Sequence, residues 1–144
     1  MDESTTLSHA SDTENQLFVG KRFYHPKLLA AYSILANLPL AFFLYGLNVY
    51  RRGSFWMGRI ILLLSALAII GMSIALAVGA KGFGIPWTLF SIVVGIGLMK
   101  AEKSGYQRAI ANGGTPAKWW PPLMFIAADV LAISLIAWFF APSE

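Results

Sequence analysis

The sequence predicts an all-α protein, a four-helix transmembrane bundle running up-down-up-down behind a flexible polar tail. Three observations predict it. Apolar residues make up 57 % of the 144-residue chain. Charged residues make up 12 %, against about 25 % in soluble chains, too few to cover a water-soluble globule of this size. The apolar residues also fall in four blocks. Each approaches the roughly 20 helical residues needed to cross a hydrocarbon core about 30 Å thick.

The tail is expected over residues 1–24. Asp2, Glu3, Asp12 and Glu14 stand among Ser and Thr, and no cation precedes an apolar core, so the reading is a solvated segment and not a signal peptide. Asp2 excludes N-myristoylation, and the absence of cysteine excludes disulfides, thiolate metal sites and cysteine-borne lipid anchors.

Residues 25–144 form the expected transmembrane domain. Span one runs over 28–50, after His25-Pro26-Lys27 and before Arg51-Arg52-Gly53. Pro26 suits a first helical turn, whereas Pro39 removes a hydrogen bond to Leu35 and should kink this span. Span two covers 55–79, with Arg59 one turn inside. Gly79, Gly82 and Gly84 mark the turn that follows. Span three covers 83–101, its uncharged part ending at Met99. That part is about 24 Å long, so a re-entrant segment is the alternative there, with the termini then on opposite sides. Asn112-Gly113-Gly114 and Thr115-Pro116 read as a helix stop and loop. Span four covers 119–141, opened by Trp119, Trp120 and Pro121-Pro122 and ended by Pro142.

Tryptophan favours the membrane–water interface. Trp56, Trp119 and Trp120 lie at one level of this topology, Trp87 and Trp138 at the other. Cations orient it. Arg51, Arg52, Arg59, Lys100, Lys103, Arg108 and Lys118 flank the loops after spans one and three, against Lys21, Arg22, Lys27 and Lys81 opposite, which assigns those two loops to the cytoplasm. The same seven cations are candidate headgroup contacts. Membrane lipids, anionic ones included, are therefore expected partners, as is a homo-oligomer or larger membrane complex. Nucleic acid would need a basic stripe on a folded face and is not expected.

The candidate site is intramembrane. Asp129 lies ten positions past Trp119, where a carboxylate costs roughly 2.5–3.5 kcal/mol on insertion scales and should turn inward. Counted from the same membrane face, Ser65 and Ser91 lie about 15 Å deep, as Asp129 does, and Asn37 about 20 Å. Ser33 and Asn37 share a small, polar helix face, as do Ser91 and Gly95. A polar layer of Asp129, Asn37, Ser65 and Ser91 is expected, either as structural hydrogen bonding or as a proton or ion site. Arg59 is a candidate partner for Asp129 but more simply snorkels to phosphate.

His9 and His25 lack partners at ligand spacing, so no metal is expected. Gly79-x-x-Gly82-x-Gly84 follows no strand and is no nucleotide loop. No nucleophile lies at a base's spacing, so neither catalysis nor a cofactor is expected.

Phe23-Tyr24-His25-Pro26-Lys27, Pro39-Leu40-Ala41 and Asn48-Val49-Tyr50-Arg51 resemble a group of small, uncharacterised bacterial multi-helix membrane proteins, with Ala36-Asn37-Leu38 in place of a Gly-rich approach to the proline. The resemblance covers the first span and its flanks. It implies a bacterial inner membrane and no particular activity. The function expected first is a non-enzymatic accessory or scaffold subunit. A small oligomeric proton- or ion-coupled transporter or channel using Asp129 comes second, and a lipid-modifying membrane enzyme last.

Overall fold

In a computed structural model the described residues are 18–35, 38–77 and 85–139, without the side chains of residues 35, 77, 85, 129, 132, 133, 136, 137 and 139. The protein is mostly helical: α1 Pro26–Leu35, α2 Leu38–Arg51, α3 Phe55–Ala77, α4 Ile85–Ala111 and α5 Trp120–Phe139. Two short strands, β1 Arg22–Phe23 and β2 Thr115–Pro116, complete the described elements.

The segment expected to cross once, 28–50, is instead two helices lying side by side. The Tyr24 N–H, just before α1, donates to Asn48 Oδ1 near the end of α2 at 2.8 Å. A continuous helix would hold those residues about 36 Å apart. The chain therefore turns back between α1 and α2, and Tyr24, Leu29 and Tyr32 pack against Leu40 and Leu44 to form the main core. At 10 and 14 residues, the two helices are about 15 and 21 Å long, so neither spans a hydrocarbon core alone. Pro39 is the second residue of α2. It begins a helix there, where its missing N–H costs nothing, and does not kink one in mid-course.

The hairpin starts and finishes at one end of the molecule, the basal end. From there Gly53, at φ +99°, turns the chain into α3, whose first turn is closed by Gly58 N–H donating to Ser54 O. A side chain at Gly58 would sit 2.6 Å from Tyr50 Cα, so α2 and α3 are nearly in backbone contact here. Farther along, Gly46 of α2 lies against Ile61 and Leu62, which makes the two helices antiparallel. Within α3, Phe55–Leu76 is long and apolar enough to cross a membrane, the one such helix found among the described residues, and only 11 % of its most apolar stretch is buried.

The span expected over 83–101 belongs to a longer helix that continues without a break to Ala111, just before the Asn112-Gly113-Gly114 stop, 27 residues or about 40 Å in all. It runs antiparallel to α1. Gly95 lies against Ser33, with no room for a β-carbon between them, and the rings of His25 and Tyr106 meet edge to face at 5.0 Å near the basal end. Residues 18–24, expected within the polar tail, are part of this folded end. Phe18 and Phe23 are buried against Ala109, and β1 pairs in parallel with β2, Arg22 opposite Thr115 and Phe23 opposite Pro116. The start of α5 is fixed by the Tyr32 hydroxyl, which donates to Trp119 O at 2.5 Å. Residues 1–17, Asn37, Gly79, Lys81, Gly82, Gly84 and Pro142 lie outside the described residues.

Candidate functional site

Of the four residues expected in a midplane polar layer, Asn37 and the Asp129 side chain are outside the description. Ser65 and Ser91 are both buried. The Ser65 hydroxyl donates to Ile61 O of its own helix at 2.6 Å, which satisfies it locally. It borders an apolar cleft with Leu38, Pro39 and Trp87. Ser91 Oγ has no hydrogen-bond partner among the described residues. No hydrogen bond joins Ser65 to Ser91 among those residues.

The polar constellation that the structure does assemble lies at the basal end. Asn48 is fully buried. Its Nδ2 donates to Tyr24 O at 2.8 Å and to Glu102 Oε1 at 2.9 Å, while its Oδ1 accepts from Tyr24 N–H. Both hydrogens and the oxygen of the amide are thereby used. Asn48 holds Tyr24 as a neighbouring strand would and ties the mouth of the hairpin to α4.

Glu102 comes from α4 and is likewise fully buried. Its Oε1 also accepts from Arg52 Nη1 at 2.5 Å. A side chain at Gly105 would collide with the Arg52 guanidinium, so that glycine makes space for the ion pair. Glu102 Oε2 is buried without a hydrogen-bond partner among the described residues. Desolvation pushes the carboxyl above its ordinary value, and the Arg52 and Asn48 interactions only partly pull it back. The site therefore consists of one acid of raised proton affinity, one arginine and one saturated amide. Among the described residues no group of three His, Cys, Asp or Glu side chains is arranged to hold a metal.

Sequence reasoning missed Glu102, Asn48 and Tyr24 as a unit, although a signal was present. The face marked by Ser91 and Gly95 continues at helical intervals through Leu98, Glu102 and Ala109, all buried. Glu102 is also the single acid between residues 15 and 128. Bounding the span at 101 left Glu102 outside the face on which it lies.

The seven expected headgroup contacts divide in two. Arg59, Lys100, Lys103, Arg108 and Lys118 are exposed. Arg51 and Arg52 are half-buried and engaged within the protein. Arg52 pairs with Glu102. Arg51 donates to Arg22 O and lies over the Tyr24 ring, 5.7 Å from its centre. Lys21 Nζ donates in turn to Arg51 O at 3.1 Å. Lys21, Arg22 and Lys27, assigned from sequence to the opposite side, share the basal end with those seven because the hairpin returns there. Of the eleven cations, Lys81 alone lies outside the described residues, and the other ten stand at or near this end.

No family model, curated protein or solved structure matches this chain. Function has to be read from the chain's own chemistry.

Proposed function

We propose that the chain is a multi-pass integral membrane protein acting as a non-enzymatic accessory or scaffold subunit. In this reading α3, α4 and α5 cross the bilayer, and the α1–α2 hairpin enters from the basal side and returns to it. The first of the four expected crossings is thus replaced by a re-entrant pair.

The observation that carries the reading is the outward face of α3. Leu63, Leu64, Leu67, Ile70 and Ile74 are 57–63 % exposed. At about 25 cal/mol per Å² such a face is costly in water, and contiguous apolar patches of this kind mark contact with lipid or partner protein. Leu89, Phe90 and Val93 of α4 and Leu131, Leu135 and Trp138 of α5 are exposed as well. The basal gathering of cations supports a cytoplasmic basal end. The resemblance to small bacterial membrane proteins supports an inner-membrane location.

A subunit role is supported by two features. The connections at 52–54 and 112–119 are too short to fold as separate domains. Gly71 and Gly97 face open space, where small residues admit a neighbouring transmembrane helix closely. Cross-linking in cells followed by purification in mild detergent tests the role. The expected result is a recurrent membrane-protein partner or a defined homo-oligomer. A solitary monomer that captures nothing at any expression level would sink it.

A further inference from the structure

We propose that the cavity between α2, α3 and the start of α5 receives one acyl chain of an anionic phospholipid, with the lipid phosphate held by the cations at the basal end of that cavity. The proposal rests on the membrane reading above and adds a specific ligand class to it. The cavity measures about 310 Å³, at the small end of ligand pockets, which run to about 1,000 Å³. Leu40, Leu44, Ala66, Ile69, Pro122 and Phe125 line it, an apolar wall suited to a hydrocarbon chain and to little else.

One lining residue gives the cavity a polar end. Tyr24 lines it, with the Arg51 guanidinium over its ring. Lys21 is bonded to the Arg51 carbonyl, which places a second cation alongside. Lys118 is exposed and follows Ala117, which packs against the core cluster containing Tyr24. Arg51 and Lys21 therefore stand beside the end at which a headgroup would sit, and Lys118 is one residue from a side chain packed there. Glu102 is the one acid whose side chain is described, and it is committed to Arg52. Among the described residues no other carboxylate is available to the cations at this end, and a ligand joining a phosphate to an apolar tail matches both parts of the site.

The test uses the full chain, stripped of lipid in a neutral detergent and then given equal amounts of phosphatidylglycerol and phosphatidylcholine with identical acyl chains. Glycerol phosphate is offered in a parallel arm, and native mass spectrometry reads what stays bound. The expected result is one retained phosphatidylglycerol, preferred at least tenfold, with no retention of glycerol phosphate. Arg51→Gln and Lys118→Gln should each reduce that preference about fivefold. Ala66→Phe, which fills the cavity, should abolish retention of both lipids. Equal retention of the two lipids, binding of glycerol phosphate alone, undiminished binding in Ala66→Phe, or a second protein copy in place of lipid would each overturn the site. Should Ala66→Phe fail to fold, the two Gln variants still decide. A chain that stays monodisperse without detergent would instead defeat the membrane reading itself, so the two failures are distinguishable.

Discussion

The side-chain amide of Asn48 bonds both backbone groups of Tyr24, accepting from its N–H and donating to its carbonyl, each at 2.8 Å. This double contact closes the mouth of the hairpin. Asn48→Leu should therefore be severe, because it leaves the Tyr24 N–H and carbonyl and part of Glu102 buried without partners. At about 1–3 kcal/mol for each orphaned group, a loss of about 3 kcal/mol or more is expected. Thermal unfolding in detergent measures it, and an unchanged midpoint would refute the clamp.

Glu102 gives the protein a pH dependence of defined sign. Burial raises its carboxyl above the ordinary 4.5, so the folded chain holds that proton more tightly than the unfolded chain. Stability contributed by the protonated group is complete below about 4.5, falls as pH rises from there through the raised value, and is level above it. Glu102→Gln has no such titration. Unfolding midpoints of the two proteins, followed from acid to neutral pH, should diverge over that window, the wild type falling relative to the variant. Parallel curves would contradict the assignment.

The ion pair also predicts an asymmetry between substitutions. Arg52→Gln removes the guanidinium that compensates a buried carboxylate, whereas Glu102→Gln retains a side-chain carbonyl that still accepts from Asn48. Removing one partner of a buried pair typically costs about 3–5 kcal/mol. At neutral pH Arg52→Gln should be the less stable variant by chemical denaturation, and the reverse order would show that Glu102 is not ionised there.

Gly58 and Gly71 offer a matched comparison on one helix. A β-carbon at Gly58 would meet the backbone of Tyr50 at 2.6 Å, while nothing stands within 4 Å of one at Gly71. Gly58→Ala should cost roughly 1–3 kcal/mol through overpacking. Gly71→Ala should leave the isolated protein as stable or slightly more so. If Gly71→Ala nevertheless weakens recovery of a partner in cross-linking, that face is an interface.

The hairpin makes a topological prediction. With no native cysteine, Val19→Cys, Ser54→Cys and Lys118→Cys can be labelled one at a time in sealed vesicles by a membrane-impermeant maleimide. All three should react from the same side. A single crossing by residues 28–50 would put Val19 opposite Ser54.

Much of the helical content was legible in the sequence, because block length and composition alone mark α3 and α5 and most of α4. The hairpin was not. A run of apolar residues from Leu28 to Tyr50 reads the same whether it forms one long helix or two short ones packed together. The discriminating features were Pro39, which suits the start of a helix better than its middle, and Asn48, whose amide needs partners that no single span would supply. The basal cluster escaped for a related reason. Residues 20–24 and 112–117 are remote in sequence and become neighbours only through the parallel pairing of β1 with β2, which two-residue strands do not announce. The expected midplane layer stays an expectation for Asn37 and Asp129, since depth along a helix says nothing of the azimuth of a side chain.

On the proposed membrane reading, the hairpin also bears on biogenesis. Because α1 and α2 go in and come out together, none of the cations flanking them has to be translocated. Of the eleven cations, only Lys81, in the segment joining α3 to α4, must be passed through the hydrocarbon. A centrally placed charge costs roughly 2.5–3.5 kcal/mol, a barrier that the transfer of Lys81 has to meet. Insertion of α3 and α4 as a paired unit should therefore be sensitive to the charge at residue 81, while the basal cations, which stay behind, hold the orientation.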